Sequence, residues 1–211
     1  MCGIAGLLAG SGAPDPDLLR RMAGAIIHRG PDDEGVWIDP EAGIGFGHRR
    51  LAILDLSPLG HQPMASQSGR YVISYNGEIY NHLALRAELE ASGEGVNWRG
   101  HSDTETLVEC IAAWGLEAAL QKCVGMFALA LWDKKDRLLH LARDRFGEKP
   151  LYYGWSGGDF VFASELKAIR STPGSTMRSA AAHSACSRRE PMCQRRCQST
   201  SDCTSSSRAA S

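Results

Sequence analysis

A cysteine at the second position is the residue of this chain best suited to nucleophilic chemistry. If Met1 is removed, Cys2 becomes the N-terminal residue and carries a thiol and a free α-amine close together. An α-amine has a reference pKa of about 7.7–8.0, so part of it is unprotonated near neutral pH and can act as a general base. Position alone is weak evidence, because a second-position cysteine without a chemical role is the commoner case.

A series of motifs along the chain supports a catalytic interpretation of Cys2. In order along the chain they are CGIAGLL (2–8), HRGPDDEG (28–35), GHRRLAILDL (47–56), GHQPM (60–64), YNGEIYN (75–81), HSDTE (101–105), GMFALALWD (125–133), ARDRFGEKPLYY (142–153) and FASELKA (162–168). Together they resemble the N-terminal glutaminase domain of class II glutamine amidotransferases, and most closely the glutamine-hydrolysing asparagine synthetase family. The resemblance extends from residue 2 to about residue 170.

The resemblance implies a role for each residue that matches a family motif. Cys2 matches the nucleophile, and Asn76 and Gly77 match the oxyanion hole. Arg50 matches the residue that binds the α-carboxylate of glutamine, for which a bidentate guanidinium is suited. Asp103 matches the partner of the α-ammonium group. Glu78 is expected to be a secondary contact, and the backbone of Leu51, Ala52, Ile53 and Leu54 is expected to line the same pocket.

Each of these residues also has an ordinary structural interpretation. Arg50 could form a surface ion pair, as could the neighbouring Arg49, although the Arg-Leu pair of the family motif favours Arg50. Asp103 could cap a helix that begins at Thr104, and Asn76-Gly77 could form a simple hairpin turn. Their joint occurrence in the family order favours the functional interpretation. The histidines at 28, 48, 61 and 101 are interpreted as structural hydrogen-bonding residues, because the mechanism needs no histidine base.

The resemblance also implies the reaction and the partners. Glutamine is expected to be hydrolysed to glutamate and ammonia without a metal or an organic cofactor. In the family, ammonia passes to a C-terminal synthetase domain that uses ATP and magnesium to activate aspartate, and the sequence carries no motif of that domain. Two alternatives stay open: a related amidotransferase whose ammonia acceptor is another molecule, and an inactive, truncated fragment.

Periodicity predicts the elements that must position these residues. Ile4–Leu8 and Tyr71–Tyr75 are predicted strands, the latter ending in a sharp turn at Asn76-Gly77. Hairpins are expected at 36–48, 126–142 and 151–163, and helices at 16–27, 83–91, 104–114 and 164–170. Ser102 and Glu105 form a capping-box pattern. This order favours an α+β class. The resemblance adds a four-layer αββα sandwich of the N-terminal-nucleophile hydrolase type, with two antiparallel sheets between helical layers.

Composition limits the function classes and the domain organisation. The chain has 211 residues, 43% of them hydrophobic, and a net charge of −1, which gives no reason to expect a nucleic acid or a membrane as partner. No signal peptide is recognisable, so the expected location is the cytoplasm. Residues 2–170 are predicted to form the glutaminase domain.

The remaining residues, 171–211, lack Leu, Ile, Val, Phe, Trp and Tyr, and they are predicted to be a disordered, low-complexity tail. The abrupt change of composition suggests an out-of-frame translation of the coding region. Five possible zinc ligands lie in this tail, but their spacing is irregular and lacks a CxxC pair, which argues against a zinc site. They are His183, Cys186, Cys193, Cys197 and Cys203.

Overall fold

The computed structural model of the protein describes residues 1–93 and 95–172. The predicted disorder beyond residue 172 and the candidate zinc ligands from His183 to Cys203 lie outside the described residues. Packing extends past the predicted boundary at residue 170, because the hydroxyls of Thr172 and Ser156 are 2.9 Å apart. No helix in the described ranges is long and apolar enough to cross a bilayer.

The described chain contains nine strands and five α-helices. In order the elements are β1 (Gly3–Leu8), α1 (Pro16–Gly24), β2 (Asp33–Asp39), β3 (Ile44–Arg50), β4 (Met64–Ala65), β5 (Tyr71–Ile79), α2 (His82–Ala91), α3 (Asp103–Trp114), α4 (Leu116–Lys122), β6 (Gly125–Asp133), β7 (Leu138–Arg143), β8 (Tyr152–Ser156), β9 (Asp159–Ala163) and α5 (Leu166–Arg170). Short 3-10 turns lie at Ile27–Arg29 and Pro58–Gly60.

The strands form two sheets, which we call sheet A and sheet B. Sheet A has the order β2-β3-β1-β9-β8, and sheet B has the order β4-β5-β6-β7. Every pairing in both sheets is antiparallel. The strand that follows Cys2, β1, therefore lies at the centre of sheet A, between β3 and the last strand of the chain, β9.

Three apolar clusters separate the layers. Leu19 and Met22 of α1 pack on sheet A together with Ile169 of α5. Phe46 and Phe162 of sheet A belong to a second cluster, which also contains residues of β5, β6 and β7 in sheet B. A third cluster packs α2, α3 and α4 on the other face of sheet B. The order helix, sheet, sheet, helix is the predicted four-layer α+β sandwich, which is confirmed.

Most predicted elements are present, and the differences are local. The hairpins β2–β3, β6–β7 and β8–β9 are confirmed. Helix α1 is capped by Asp15 but ends at Gly24, before the predicted end at residue 27, and a separate 3-10 turn follows it. Strand β2 begins at Asp33, before the predicted start of its hairpin at residue 36. Helix α4 was not predicted, because its seven residues carry too short an apolar pattern to be recognised.

The predicted turn at Asn76-Gly77 is wrong. Strand β5 continues through both residues to Ile79, and Asn76 and Gly77 lie opposite Ala128 and Phe127 of β6. A β-carbon at Gly77 would lie 2.7 Å from the Phe127 Cβ, so the glycine is needed for the close approach of the neighbouring strand.

Asp144 holds the loop after β7, and its replacement gives a stability prediction. Its two carboxylate oxygens accept backbone hydrogen bonds from Phe127, Phe146, Glu148 and Lys149. Burial raises the pKa of this carboxyl, but the four N–H donors outweigh burial and hold the pKa below its usual value. Asp144→Asn sets an amide N–H₂ against these donors, so we expect a loss of about 2–4 kcal/mol of unfolding free energy.

Chemical denaturation at neutral pH measures this loss. Asp136→Asn, on an exposed turn, is the control and should change stability by less than about 1 kcal/mol. Because the folded-state pKa of Asp144 is depressed, its contribution is present at neutral pH and disappears as the pH falls through that pKa. The difference between wild type and Asp144→Asn should therefore narrow in acid. A difference that is constant with pH would contradict this role for the Asp144 charge.

Candidate active site

Cys2 lies in a pocket formed by residues from both sheets and the loops beside them. The same pocket contains most of the residues that the sequence predicts for the site. Its wall includes Met1, Cys2, Arg50, Leu51, Ile53, Leu54, Asn76, Gly77, Glu78, Asp103, Met126 and Lys149. Residues separated by about a hundred positions therefore converge on one concave surface, as a small-molecule site requires.

The Cys2 sulfur is partly buried and lies against the end of β3. The backbone N–H of Leu51 donates to Sγ at 3.4 Å. Burial raises the pKa of the thiol, while the Leu51 N–H and the nearby N-terminal charge oppose this effect. A thiol in these surroundings is mostly protonated, so its use as a nucleophile requires a base that removes the proton in the reaction.

Arg29 fixes the backbone of Cys2, and the sequence reasoning did not assign it a role. Its Nε donates to the Cys2 carbonyl oxygen at 2.9 Å, and its Nη1 donates to Glu165 at 3.0 Å. Glu165 also contacts His28 and Lys167. The sequence signal that could have identified Arg29 was its place in the motif HRGPDDEG (28–35), directly after a predicted helix.

Asn76 presents an unused donor to the pocket. Its side chain is 1% exposed, and the amide Nδ2 has no hydrogen-bond partner among the described residues. A buried amide N–H without an acceptor is costly, so such a group in a pocket indicates a missing ligand. The chemistry of the donor fits a carbonyl oxygen or an oxyanion.

The backbone N–H of Gly77 has the direction that a second oxyanion donor needs. Along strand β5 the N–H groups alternate between its two edges. Those of Tyr75 and Ile79 donate to the side chains of Gln62 and Asp103 rather than to β6. The Gly77 N–H therefore points away from β6 as well, on the edge that β4 leaves uncovered, since β4 pairs only with Val72 and Ile73.

Arg50 lines the pocket with a guanidinium that is already held in place. Its Nη1 donates to the Ser57 carbonyl at 3.0 Å, and its Nη2 donates to the Asp55 carbonyl. Gly60 packs directly against the same guanidinium, and a β-carbon there would overlap Nη2. These contacts fix the orientation of the planar cation, as binding of a planar carboxylate requires.

Asp103 offers one carboxylate oxygen to the pocket. Its Oδ2 accepts hydrogen bonds from the Tyr75 hydroxyl and the Ile79 N–H, each at 2.9 Å. Burial raises the pKa of this carboxyl, and these two donors oppose the rise. The helix cap is Ser102, whose hydroxyl accepts from the Glu105 N–H, so Asp103 is not the cap. Its carboxylate is therefore available for a cationic group.

The remaining predicted site residues differ in position. Glu78, Leu51, Ile53 and Leu54 line the pocket, whereas Ala52 does not. The backbone N–H of Ala52 donates instead to the Asp32 carboxylate at 2.9 Å.

Among the histidines, His48 is fully buried, contacts the Ser74 hydroxyl, and has a pKa lowered by burial to about 3. It is neutral at physiological pH. The described residues include no group of His, Cys, Asp or Glu that could hold a metal ion.

Comparison with known proteins decides the family. Residues 1–195 match the family of glutamine amidotransferase domains.

The chain belongs to this family.

Its relatives among characterised sequences are longer proteins. Glutamine-hydrolysing asparagine synthetase 1 of Bacillus subtilis is 43% identical to this chain over 173 residues. The match covers 80% of this chain and 26% of the relative. A putative asparagine synthetase of Methanocaldococcus jannaschii is 40% identical and is covered to 35%. An amidase of Gibberella zeae, chry2, is 33% identical and is covered to 26%. The glutamine amidotransferase domain thus spans about a quarter to a third of these relatives.

Solved structures agree with the fold. Glutamine phosphoribosylpyrophosphate amidotransferase from Bacillus subtilis superimposes with a TM-score of 0.67 at 22% identity, over 80% of this chain and 43% of that one. A structure described as the allosteric regulatory enzyme of purine biosynthesis gives 0.65, also at 22% identity, over 81% and 43%. These likenesses support the sandwich architecture of the glutamine amidotransferase domain and nothing finer.

Proposed function

We propose that this glutamine amidotransferase domain hydrolyses L-glutamine to glutamate and ammonia through a thioester on Cys2. One observation supports it above the others. Cys2 shares its pocket with the unpartnered amide of Asn76, a fixed guanidinium on Arg50 and a carboxylate on Asp103. Glutamine carries the complementary groups: an amide carbon for the thiol, a carbonyl oxygen, an α-carboxylate and an α-ammonium.

The proposed reaction starts after removal of Met1, which frees the Cys2 α-amine. The amine accepts the thiol proton while Sγ attacks the side-chain amide carbon of glutamine. The carbonyl oxygen gains negative charge and accepts hydrogen bonds from Asn76 Nδ2 and the Gly77 N–H. Collapse of this intermediate breaks the C–N bond, and the amine gives its proton to the departing ammonia. Water, activated by the same amine, then cleaves the thioester to glutamate. No step uses a metal or an organic cofactor.

Glutamine and ammonia measurements test this proposal directly. Protein lacking Met1, verified by mass spectrometry, should release glutamate and ammonia from glutamine in equal amounts. Asparagine, shorter by one methylene, should react far more slowly, because its amide carbon does not reach Sγ when its α-groups are bound. Absence of both ammonia release and labelling of Cys2 by a glutamine-mimicking electrophile would favour the alternative, an inactive fragment.

Asp103 gives a prediction on substrate binding and pH. Asp103→Asn removes the charge opposite the α-ammonium group, and we expect the KM for glutamine to rise about 10–100-fold, the effect of losing a charged hydrogen bond. Since burial raises the pKa of Asp103, its binding-competent carboxylate is lost at a higher pH than that of an ordinary aspartate. The KM of the wild type should therefore rise on acidification, whereas that of Asp103→Asn should change much less. Parallel KM profiles for the two proteins would contradict the assignment.

The fate of the ammonia is a further part of the proposal. We infer that the longer protein to which such a domain belongs transfers ammonia to aspartate, activated by ATP and magnesium in a synthetase domain. The asparagine synthetase relatives support this acceptor. The Gibberella zeae amidase supports the other candidate, a protein with a different acceptor.

A chimaera separates the two acceptors. Residues 1–170 of this chain replace the corresponding segment of the Bacillus subtilis asparagine synthetase. We expect the chimaera to form asparagine with glutamine as the nitrogen donor. A chimaera that uses free ammonia but not glutamine would indicate that this domain does not couple to an aspartate-activating partner.

A further inference from the structure

Lys149 is a buried ammonium that the proposed mechanism does not use. The residue is 5% exposed and forms part of the pocket wall near Cys2. Its Nζ lies 3.3 Å from the Met1 sulfur, and it forms no ion pair with a carboxylate of the described residues. A buried cation that lacks a counter-ion is costly, so its retention in a reaction pocket calls for an explanation.

The main chain of Lys149 is fixed on both sides, which sets the point from which its side chain reaches the pocket. Its N–H donates to Asp144 Oδ2 at 3.0 Å, and its carbonyl accepts a hydrogen bond from Arg143 Nε. Asp144 is in turn held by β6 through the Phe127 N–H. Removal of Met1 takes away the sulfur that Nζ contacts but leaves the main-chain hydrogen bonds of Lys149 and its place in the pocket wall with Cys2.

We propose that Lys149 is a positioning residue whose ammonium keeps the α-amine of Cys2 in its uncharged, proton-accepting form. The inference rests on the proposed function, in which that amine is the general base. Two cations close together in a partly buried site repel each other, so the fixed one disfavours protonation of the other. The benefit to the reaction is a larger fraction of base at neutral pH.

The charges around the N-terminus support this role. In the chain that carries Met1, burial lowers the pKa of the N-terminal amine, the charges of Arg29 and Lys149 lower it further, and Cys2 and Asp32 oppose them. The positive charge of Arg29 is compensated by Glu165 at 3.0 Å. The charge of Lys149 has no such ion pair with any carboxylate in the described part of the chain. Around the thiol itself the facing charged groups are the N-terminal ammonium, Asp103 and Arg50.

The test compares Lys149→Met, which keeps the length of the side chain without its charge, with Lys149→Arg, which keeps the charge. Lys134→Met is the matched control, since it removes a lysine charge that lies against Trp37, outside the pocket. The wild type and all variants are prepared as residues 2–211, and thermal unfolding checks that each of them is folded. The readouts are the pH profile of kcat/KM for glutamine and the pKa of the α-amine, measured by the pH dependence of its acylation.

In Lys149→Met we expect the α-amine pKa and the acidic limb of kcat/KM to move up by about 0.5–1 pH unit. The activity should approach the wild-type level at high pH. Lys149→Arg and Lys134→Met should retain the wild-type limb. An unmoved amine pKa in Lys149→Met, with activity reduced equally at every pH, would overturn the inference and leave Lys149 a packing residue.

Two further outcomes are covered. If Lys149→Met does not fold, Lys149→Gln takes its place, since its amide is uncharged but can still donate hydrogen bonds, and the same criterion applies. If the wild type releases no ammonia from glutamine, the proposed function fails, whereas the acylation measurement still decides whether Lys149 lowers the pKa of the amine.

Discussion

Replacement of Cys2 by alanine should reduce glutamine hydrolysis by on the order of 10⁴-fold or more, to the background of the solution reaction plus binding. The reason is that formation of a thioester needs a thiol. None of the other described residues that line the pocket carries one. Steady-state release of glutamate measures the loss. Glutamine binding, measured by calorimetry, should persist because the α-carboxylate and α-ammonium contacts remain.

Cys123→Ala is the matched control for this variant. Cys123 is also a partly buried free thiol, but its Sγ donates to the Ala119 carbonyl at 3.2 Å, and burial raises its pKa to about 12. It should show wild-type turnover and no change in labelling by a glutamine-mimicking electrophile. Turnover that survives in Cys2→Ala, or disappears in Cys123→Ala, would place the nucleophile elsewhere.

Replacement of Asn76 by alanine should lower kcat about 10²–10³-fold with little change in KM, because the lost donor acts on charge that develops only in the transition state. The expected cost is about 2.7–4 kcal/mol. The free protein should be no less stable, since Asn76 Nδ2 has no partner to lose within the described structure. Single-turnover measurement of thioester formation would locate the effect on the acylation step.

Asn81→Ala distinguishes this effect from a general sensitivity of the region. Asn81 follows the end of β5, outside the pocket; its amide donates to the Lys122 carbonyl and its carbonyl accepts from the Val124 N–H. Its removal should lower stability by about 1–2 kcal/mol and leave kcat unchanged. If Asn76→Ala raised KM and left kcat intact, Asn76 would be a ground-state binding residue and the oxyanion assignment would be wrong.

The sequence predicted the fold class and the hairpins well because both depend on local patterns. A short apolar run flanked by Gly125 and Asp133 is visible at Met126–Trp132, and the capping pattern at Ser102 is local too. The layer arrangement depends on which faces of distant elements meet. It came from the resemblance to the family and not from periodicity.

The site was less predictable from local patterns. Asn-Gly is the strongest short turn signal, yet Asn76-Gly77 lies within β5 because the facing strand β6 pairs with it throughout. Arg29 contacts Glu165 and Lys149 contacts Met1, pairs that are 136 and 148 positions apart in the chain. No spacing rule reports such contacts. The resemblance supplied Asn76, Arg50 and Asp103, and the structure adds what holds each of them.

Because β1 is the central strand of sheet A, the sheet cannot be completed until the last strands of the domain have been synthesised. The strand that bears Cys2 is the first to leave the ribosome, but its Ile4 N–H bonds to Ser164 Oγ, a residue made 160 positions later. Arg29, which fixes the Cys2 carbonyl, is likewise anchored by Glu165. A nascent chain therefore exposes Met1 to processing enzymes throughout its synthesis, before β9 can close the sheet beside it. Removal of Met1 can therefore precede closure of sheet A, although Met1 stays 55% exposed in the folded chain as well.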